Sequence, residues 1–81
     1  MSETHTEEFR VNGEELLSRI KALVHEGNIR RIIIKDKDGK VLLEFPLTYG
    51  VVGLVLAPTL AAVGAIAALV TEATIVVEKE S

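Results

Sequence analysis

The chain has 81 residues, of which 48 % are hydrophobic and 26 % charged, and it carries a net charge of −3 at pH 7. This composition excludes a disordered chain, and the length fits a single domain. The absence of cysteine excludes disulfides and thiolate metal sites. Three aromatic side chains and an acidic balance argue against a nucleic-acid partner.

The first residues are polar and acidic, and they predict a disordered N-terminus over residues 1–7 ahead of one α+β domain over residues 8–80. They lack the basic and apolar segments of a secretory signal, so we expect a cytoplasmic protein. Phe9 and Val11 then alternate with charged residues, which is typical of a short strand with one buried face.

A helix is predicted over residues 13–26. Asn12 is a favourable N-cap, and Glu15 stands three residues later in the capping-box position. Gly27 is suited to end the helix, because it adopts a left-handed conformation without strain. The apolar residues recur at helical spacing and are Leu16, Leu17, Ile20, Leu23 and Val24.

Residues 29–35 and 41–47 predict a β-hairpin around Asp36 to Gly39, where Gly39 supplies a positive φ. A last strand is predicted over residues 73–79. The order strand, helix, strand, strand, helix, strand predicts an α+β two-layer sandwich of the ferredoxin-like, split βαβ type.

The segment from Phe45 to Thr71 has no charged residue and holds 19 of the 39 hydrophobic residues of the chain. It predicts a very apolar second helix over residues 49–70, bent at Pro58. The alternative is that residues 49–57 are irregular and that Pro58 lies in the first helical turn.

Side-chain size divides this second helix into two faces. The bulky face comprises Val51, Val52, Val55, Leu56, Val63, Ile66, Leu69 and Val70. The opposite stripe of small residues, our candidate helix-packing or oligomer interface, comprises Gly50, Gly53, Ala57, Ala61, Gly64 and Ala68.

Three interpretations of the small stripe remain open. A small two-layer domain covers a helix on one side only, so the stripe needs a further partner. We favour packing against another helix, either the first helix or the same helix of a second copy in a homo-oligomer. On this view Gly64→Leu overpacks the contact. Alternatively, the stripe is tight packing within a monomer.

The third interpretation is a membrane-associated protein in which residues 49–70 span or enter the bilayer. The length reaches the roughly 20 residues required. A spanning helix would, however, leave the last strand alone on one side of the membrane, and an isolated strand is unstable. Membrane association is therefore the less favoured alternative.

No combination of nucleophile, base and orienting group is present, so we expect a non-enzyme without cofactor or metal. His25 lies at a helix end, where a cation is favourable. The sequence Asp36-Lys37-Asp38-Gly39 lacks the rest of a calcium loop.

Arg30 and Arg31 form the one suggestive polar pair, a weak candidate anion site. Pairing of these arginines with nearby glutamates is the simpler interpretation. A further alternative function is the binding of a small apolar or anionic ligand, between helix and sheet or beside the two arginines.

An ordered set of motifs resembles an uncharacterised bacterial domain-of-unknown-function family over about residues 9–79. The motifs are Asn12-Gly13-Glu14-Glu15-Leu16, His25-Glu26-Gly27-Asn28-Ile29-Arg30-Arg31-Ile32, Pro46-Leu47-Thr48-Tyr49-Gly50-Val51-Val52-Gly53 and Leu56-Ala57-Pro58. Some relatives place the domain after a small ubiquitin-associated-like helical module, whereas we expect a stand-alone form here. The resemblance implies no activity and no catalytic residues, so it leaves the function open.

Overall fold

Six elements follow one another along the chain in a computed structural model, which describes residues 4–26, 28–46 and 56–80. The two helices and four strands have the predicted order, so the α+β class is confirmed. The elements are β1 (Thr4–Asn12), α1 (Gly13–Val24), β2 (Ile29–Asp36), β3 (Val41–Pro46), α2 (Leu56–Leu69) and β4 (Glu72–Glu80).

The four strands form one sheet in the order β1-β4-β2-β3, and every neighbouring pair is antiparallel. β1 and β2 are therefore parallel to each other with β4 between them, and β3 and β4 are parallel with β2 between them. Both βαβ units are split, as predicted. The inner strands are the second and fourth, whereas a ferredoxin sheet has its first and third strands inside.

One face of the sheet forms the core with the helices. Ile75 of β4 lies opposite Phe9 of β1 and Ile34 of β2, and Val77 lies opposite Ile32. Because side chains alternate along a strand, these residues share one face. The buried core cluster comprises Val11, Leu16, Ile20, Leu23, Ile29, Ile32, Ile34, Phe45, Val63, Ala73, Ile75 and Val77.

The N-terminus of α1 has the predicted cap. The Asn12 side chain accepts a hydrogen bond from the Glu15 backbone N–H at 2.9 Å, which satisfies a donor that the helix leaves unpaired. The helix ends at Val24 with His25 as its C-cap, two residues earlier than predicted. Gly27, the predicted terminator, lies outside the described residues.

The turn between β2 and β3 is confirmed. One carboxylate oxygen of Asp36 accepts hydrogen bonds from the backbone N–H groups of Asp38 and Lys40, both at 2.9 Å. Gly39 has a φ of 87°, a conformation that favours glycine. This Asx turn gives Asp36 and Gly39 structural roles.

β1 is longer than the sequence predicts. It begins at Thr4, so residues 4–7, which we expected to be disordered, are part of the strand. Thr4 pairs with Glu80 and Glu7 with Val77 along the inner strand β4. A long inner strand supplies backbone partners where the local sequence of β1 offers little apolar patterning.

α2 begins at Leu56, so Pro58 lies in its first turn, where proline is tolerated. Residues 56 and 57 are helical, and the two predicted arrangements differ over the residues that precede them. The predicted helical residues 49–55 lie outside the described part of the chain. Within that part, neither helix is long and apolar enough to cross a membrane.

The two helices meet where α1 begins and α2 ends. The Gly13 N–H donates a hydrogen bond to the Thr71 carbonyl oxygen at 3.1 Å. A Cβ on Gly13 would overlap the Val70 carbonyl oxygen and would lie 2.8 Å from that of Ala67. Only a residue without a side chain allows the two backbones to approach this closely.

We predict that Gly13→Ala destabilises the protein by roughly 1–3 kcal/mol, because backbone atoms must move to admit the methyl group. Gly64→Ala is the matched control inside α2, since no described atom outside the adjacent backbone of the helix lies within 4 Å of its Cβ position. Alanine should stabilise α2 there by about 0.5–1 kcal/mol. Urea denaturation measures both changes, and equal effects of the two variants would contradict the prediction.

Candidate functional site: the outer face of α2

The side of α2 that points away from the core is apolar. On a helical wheel centred on the buried residue Val63, the exposed residues of α2 lie within about 60° of the opposite side. Leu69 among them is 85 % exposed, so a large aliphatic side chain lies almost entirely in solvent. We call this surface the outer face of α2, formed by Pro58, Ala61, Ala65, Ala68 and Leu69.

Bulky residues occupy the side of α2 that faces the core. Val63 is fully buried, and Ile66 and Val70 pack against the core. These three residues of the bulky face lie towards the core, whereas Leu69 of the same face is exposed. Leu69 lies about 120° around the helix from Val63, too far to reach the same neighbours.

The residues of the small stripe that the structure describes do not pack closely against α1. Ala61 and Ala68 are exposed, and no described atom outside the adjacent backbone of the helix lies within 4 Å of the Cβ position of Gly64. These described residues therefore do not show the packing on the first helix, whereas packing on the same helix of a second copy stays a prediction. Gly50 and Gly53 lie outside the described residues, as does the side chain of Ala57.

Charge sets the outer face of α2 apart from the other surfaces. No residue of α2 is charged. The open face of the sheet, by contrast, carries ion pairs between Arg10 and Glu72 at 3.8 Å and between Arg31 and Glu44 at 3.0 Å. The exposed side of α1 also carries charges of both signs, at Glu14, Glu15, Arg19 and Lys21.

Sequence reasoning missed Ala65, which it placed on neither face. The wheel was divided by side-chain size, and size does not reveal which side of an all-apolar helix meets the core. A wheel centred on Val63 places Ala65 and Leu69 outside, but only the fold identifies Val63 as the buried centre.

Arg30 and Arg31 each lie beside a carboxylate. Arg31 Nη1 donates a hydrogen bond to Glu44 Oε2 at 3.0 Å, and Arg30 Nη1 lies 3.8 Å from Glu80 Oε1. An anion bound here would compete with these carboxylates. The geometry favours the structural interpretation of the pair, and an anion site stays a prediction.

A second polar cluster joins three elements at the far end of the core. Lys79 Nζ of β4 donates a hydrogen bond to Glu26 Oε1 at 3.2 Å and lies 3.3 Å from Glu7 Oε1 of β1. His5 Nε2 lies 3.0 Å from the other oxygen of Glu7. The Lys79 side chain is only 14 % exposed, so the cluster closes the end of the helix-facing side of the sheet.

The cluster shifts the titration of two of its members. Hydrogen bonds from His5 and then Lys79 hold the pKa of Glu7 below the usual 4.5. The hydrogen bond to Glu26, followed by that to Glu7, holds the pKa of Lys79 above the usual 10.5. Both shifts favour the charged forms, which is the behaviour of a structural ion-pair network.

The Glu7 interaction should stabilise the fold above the usual glutamate pKa and be lost as the pH falls through its lowered, folded-state pKa. Glu7→Gln should therefore lower stability at pH 7 and have no effect once Glu7 is protonated. Urea midpoints measured from pH 7 to pH 3 test this. Glu8→Gln, at an exposed position on the same strand, is the matched control, and parallel pH profiles of wild type and Glu7→Gln would refute the assignment.

The described residues hold no group of three or more His, Asp or Glu side chains that could bind a metal ion. Nor do they hold a buried side-chain nitrogen or oxygen that lacks a hydrogen-bond partner. Among the described residues, the outer face of α2 is therefore the surface that we consider as the candidate site.

Comparison with known proteins places the chain in a family. The model of the domain of unknown function DUF4342 matches residues 2–79, so the chain belongs to that family. The resemblance inferred from the motifs is thereby confirmed, while a ubiquitin-associated-like module in relatives stays an expectation. Searches of the curated proteins and of the solved structures found no match.

Proposed function

We propose that this chain is a small, non-enzymatic cytoplasmic protein that works by self-association, and that the outer face of α2 is its contact surface. The observation that carries the proposal is the 85 % exposure of Leu69 on a helix without any charged residue. Burying apolar surface yields about 25 cal/mol per Å², so covering Leu69 and the alanines beside it favours association.

Charge matching favours a second copy as the partner. Removing a charged group from water costs free energy. An uncharged apolar surface therefore associates at the lowest cost with another surface that has no charged group. Within the described chain, α2 is the longest uncharged stretch, whereas α1 and the open face of the sheet carry ionised side chains. A contact of α2 with the α2 of another copy therefore buries no charge.

The sheet edges are less suited to association. β1 carries four ionisable side chains, His5, Glu7, Glu8 and Arg10. β3 has a register shift opposite Ile34 and Lys35 and ends at Pro46. Charges, bulges and proline are features that prevent edge-to-edge pairing of sheets. Lateral addition of strands is therefore disfavoured relative to helix packing.

The size of the surface predicts a weak complex. A helix of 14 residues is about 21 Å long and about 10 Å wide, so its footprint is on the order of 200 Å². A stable dimer buries roughly 800 Å² per partner. We therefore expect an equilibrium between monomer and dimer that depends on protein concentration.

Size exclusion with light scattering over a concentration series tests the proposal. The apparent mass of the wild type should rise from 8.8 kDa towards twice that value as concentration increases. Ala65→Glu should stay monomeric, because a charge would be buried in the contact. Its circular dichroism spectrum should match the wild type, since Ala65 is exposed in a single chain and glutamate is a good helix former.

The matched control is Ala22→Glu, which makes the same exchange at an exposed position of α1. It should associate as the wild type does. A wild-type chain that stays monomeric up to about 1 mM, where an interaction of about 4 kcal/mol becomes visible, overturns the proposal. Equal loss of association in both variants overturns the assignment to α2.

A further inference from the structure

We infer that the α2 helices of two copies pack antiparallel, with the Leu69 side chain of each copy seated against the partner's Pro58. This inference rests on the proposed self-association and specifies its geometry. It starts from the positions of the largest side chains on the outer face of α2.

The two ends of the outer face carry its largest side chains. Pro58 lies in the first turn of α2, and Leu69 is the last residue of the helix. The helical repeat places them about 17 Å apart along the axis and only about 20° apart around it. Both large side chains therefore lie along the same side of the face, one at each end.

The middle of the outer face is narrow. Pro58, Ala61, Ala65 and Ala68 follow one another at intervals of three, four and three residues, which is the spacing of a seam between two packed helices. Methyl groups alone occupy the middle of this seam, so two such helices can approach closely there. The larger side chains at the ends must then fit beside the partner.

An antiparallel pair accommodates both ends. A register that places Ala61 opposite the partner's Ala65 also places Ala68 opposite the partner's Pro58. Leu69, next to Ala68, then covers the start of the partner's helix, and the two-fold relation repeats this contact at the other end. A parallel pair would instead crowd both Leu69 side chains at one end of the contact.

Electrostatics favour the same arrangement, and two-fold symmetry is compatible with it. Closed dimers with two identical contact surfaces are related by a two-fold axis, and such an axis perpendicular to α2 makes the helices antiparallel. Antiparallel helices also place the positive end of one helix dipole near the negative end of the other. The contact has no charged side chain that would oppose this orientation.

Removal of the Leu69 side chain tests its role in the contact. Leu69→Ala should raise the dissociation constant of the dimer roughly tenfold, because a largely buried leucine side chain is lost from the contact. Val41→Ala is the matched control, since Val41 is 49 % exposed on β3. Sedimentation equilibrium measures both constants, and equal constants for the two variants overturn the seating of Leu69.

Cysteine cross-linking tests the orientation cleanly, because the chain has no cysteine of its own. Pro58→Cys labelled with ¹⁵N is mixed with unlabelled Ala68→Cys and oxidised, and intact mass spectrometry identifies the mixed disulfide by its intermediate mass. This disulfide should form on the order of a hundredfold faster than with the control partner, because the contact raises the local thiol concentration. The control partner is Ala22→Cys, at an exposed position on α1.

Each outcome of the cross-linking supports or overturns the inference. Preferential coupling of position 58 to position 68 supports the antiparallel pair. If the coupling disappears when Ala65→Glu is also present, the disulfide depends on the contact between the two α2 helices. Preferential coupling of Ala68→Cys to itself indicates a parallel pair and overturns the inference, while self-association through α2 stands. Rates equal to the Ala22→Cys control also overturn it, and the light-scattering masses then decide separately whether the proposed function survives.

Discussion

A helix in a two-layer domain can bury only the side that faces the sheet, and α2 has no charged side to present to water. This constraint governs the rest of the structure. Val63 reaches the core on one side of the helix, and Leu69 lies in solvent on another. Among the described residues, no element covers the outer face of α2, and the proposed assembly rests on that imbalance.

The junction of the helices shows why the location of a glycine matters more than its presence. Gly13 lies where the start of α1 meets the end of α2, and its missing side chain lets the Val70 carbonyl approach. Gly64 belongs to a long stripe of small residues, yet its Cβ position borders open space among the described residues. Close packing among the described residues thus depends on the first glycine and not on the second.

Many charged side chains of the described residues form ion pairs within the chain. Lys79 joins β4 to β1 and to the end of α1 through Glu7 and Glu26, and these contacts help to hold β1 over residues that look unstructured in the sequence. On the open face of the sheet, ion pairs hold Arg10 and Arg31. These described polar residues therefore interact within the chain, whereas the outer face of α2 carries no charge and is the surface on which the proposed self-association rests. Membership of DUF4342 shows which proteins the chain is related to but assigns no function. The proposed function therefore rests on the chemistry of the surface.

Local sequence was sufficient for features that depend on residues close together in the chain. The cap at Asn12, the turn at Asp36 to Gly39 and the order of the six elements all follow from short-range hydrogen bonding and hydrophobic periodicity. The uncharged character of α2 was equally visible in the sequence.

The tertiary structure was required for three features that depend on contacts between distant segments. These are the strand order, the full length of β1 and the close approach at Gly13. The exposure of Ala65 and Leu69 also required the tertiary structure. The sequence of an all-apolar helix does not show which side is buried, and only the packing around Val63 decides which residues are exposed.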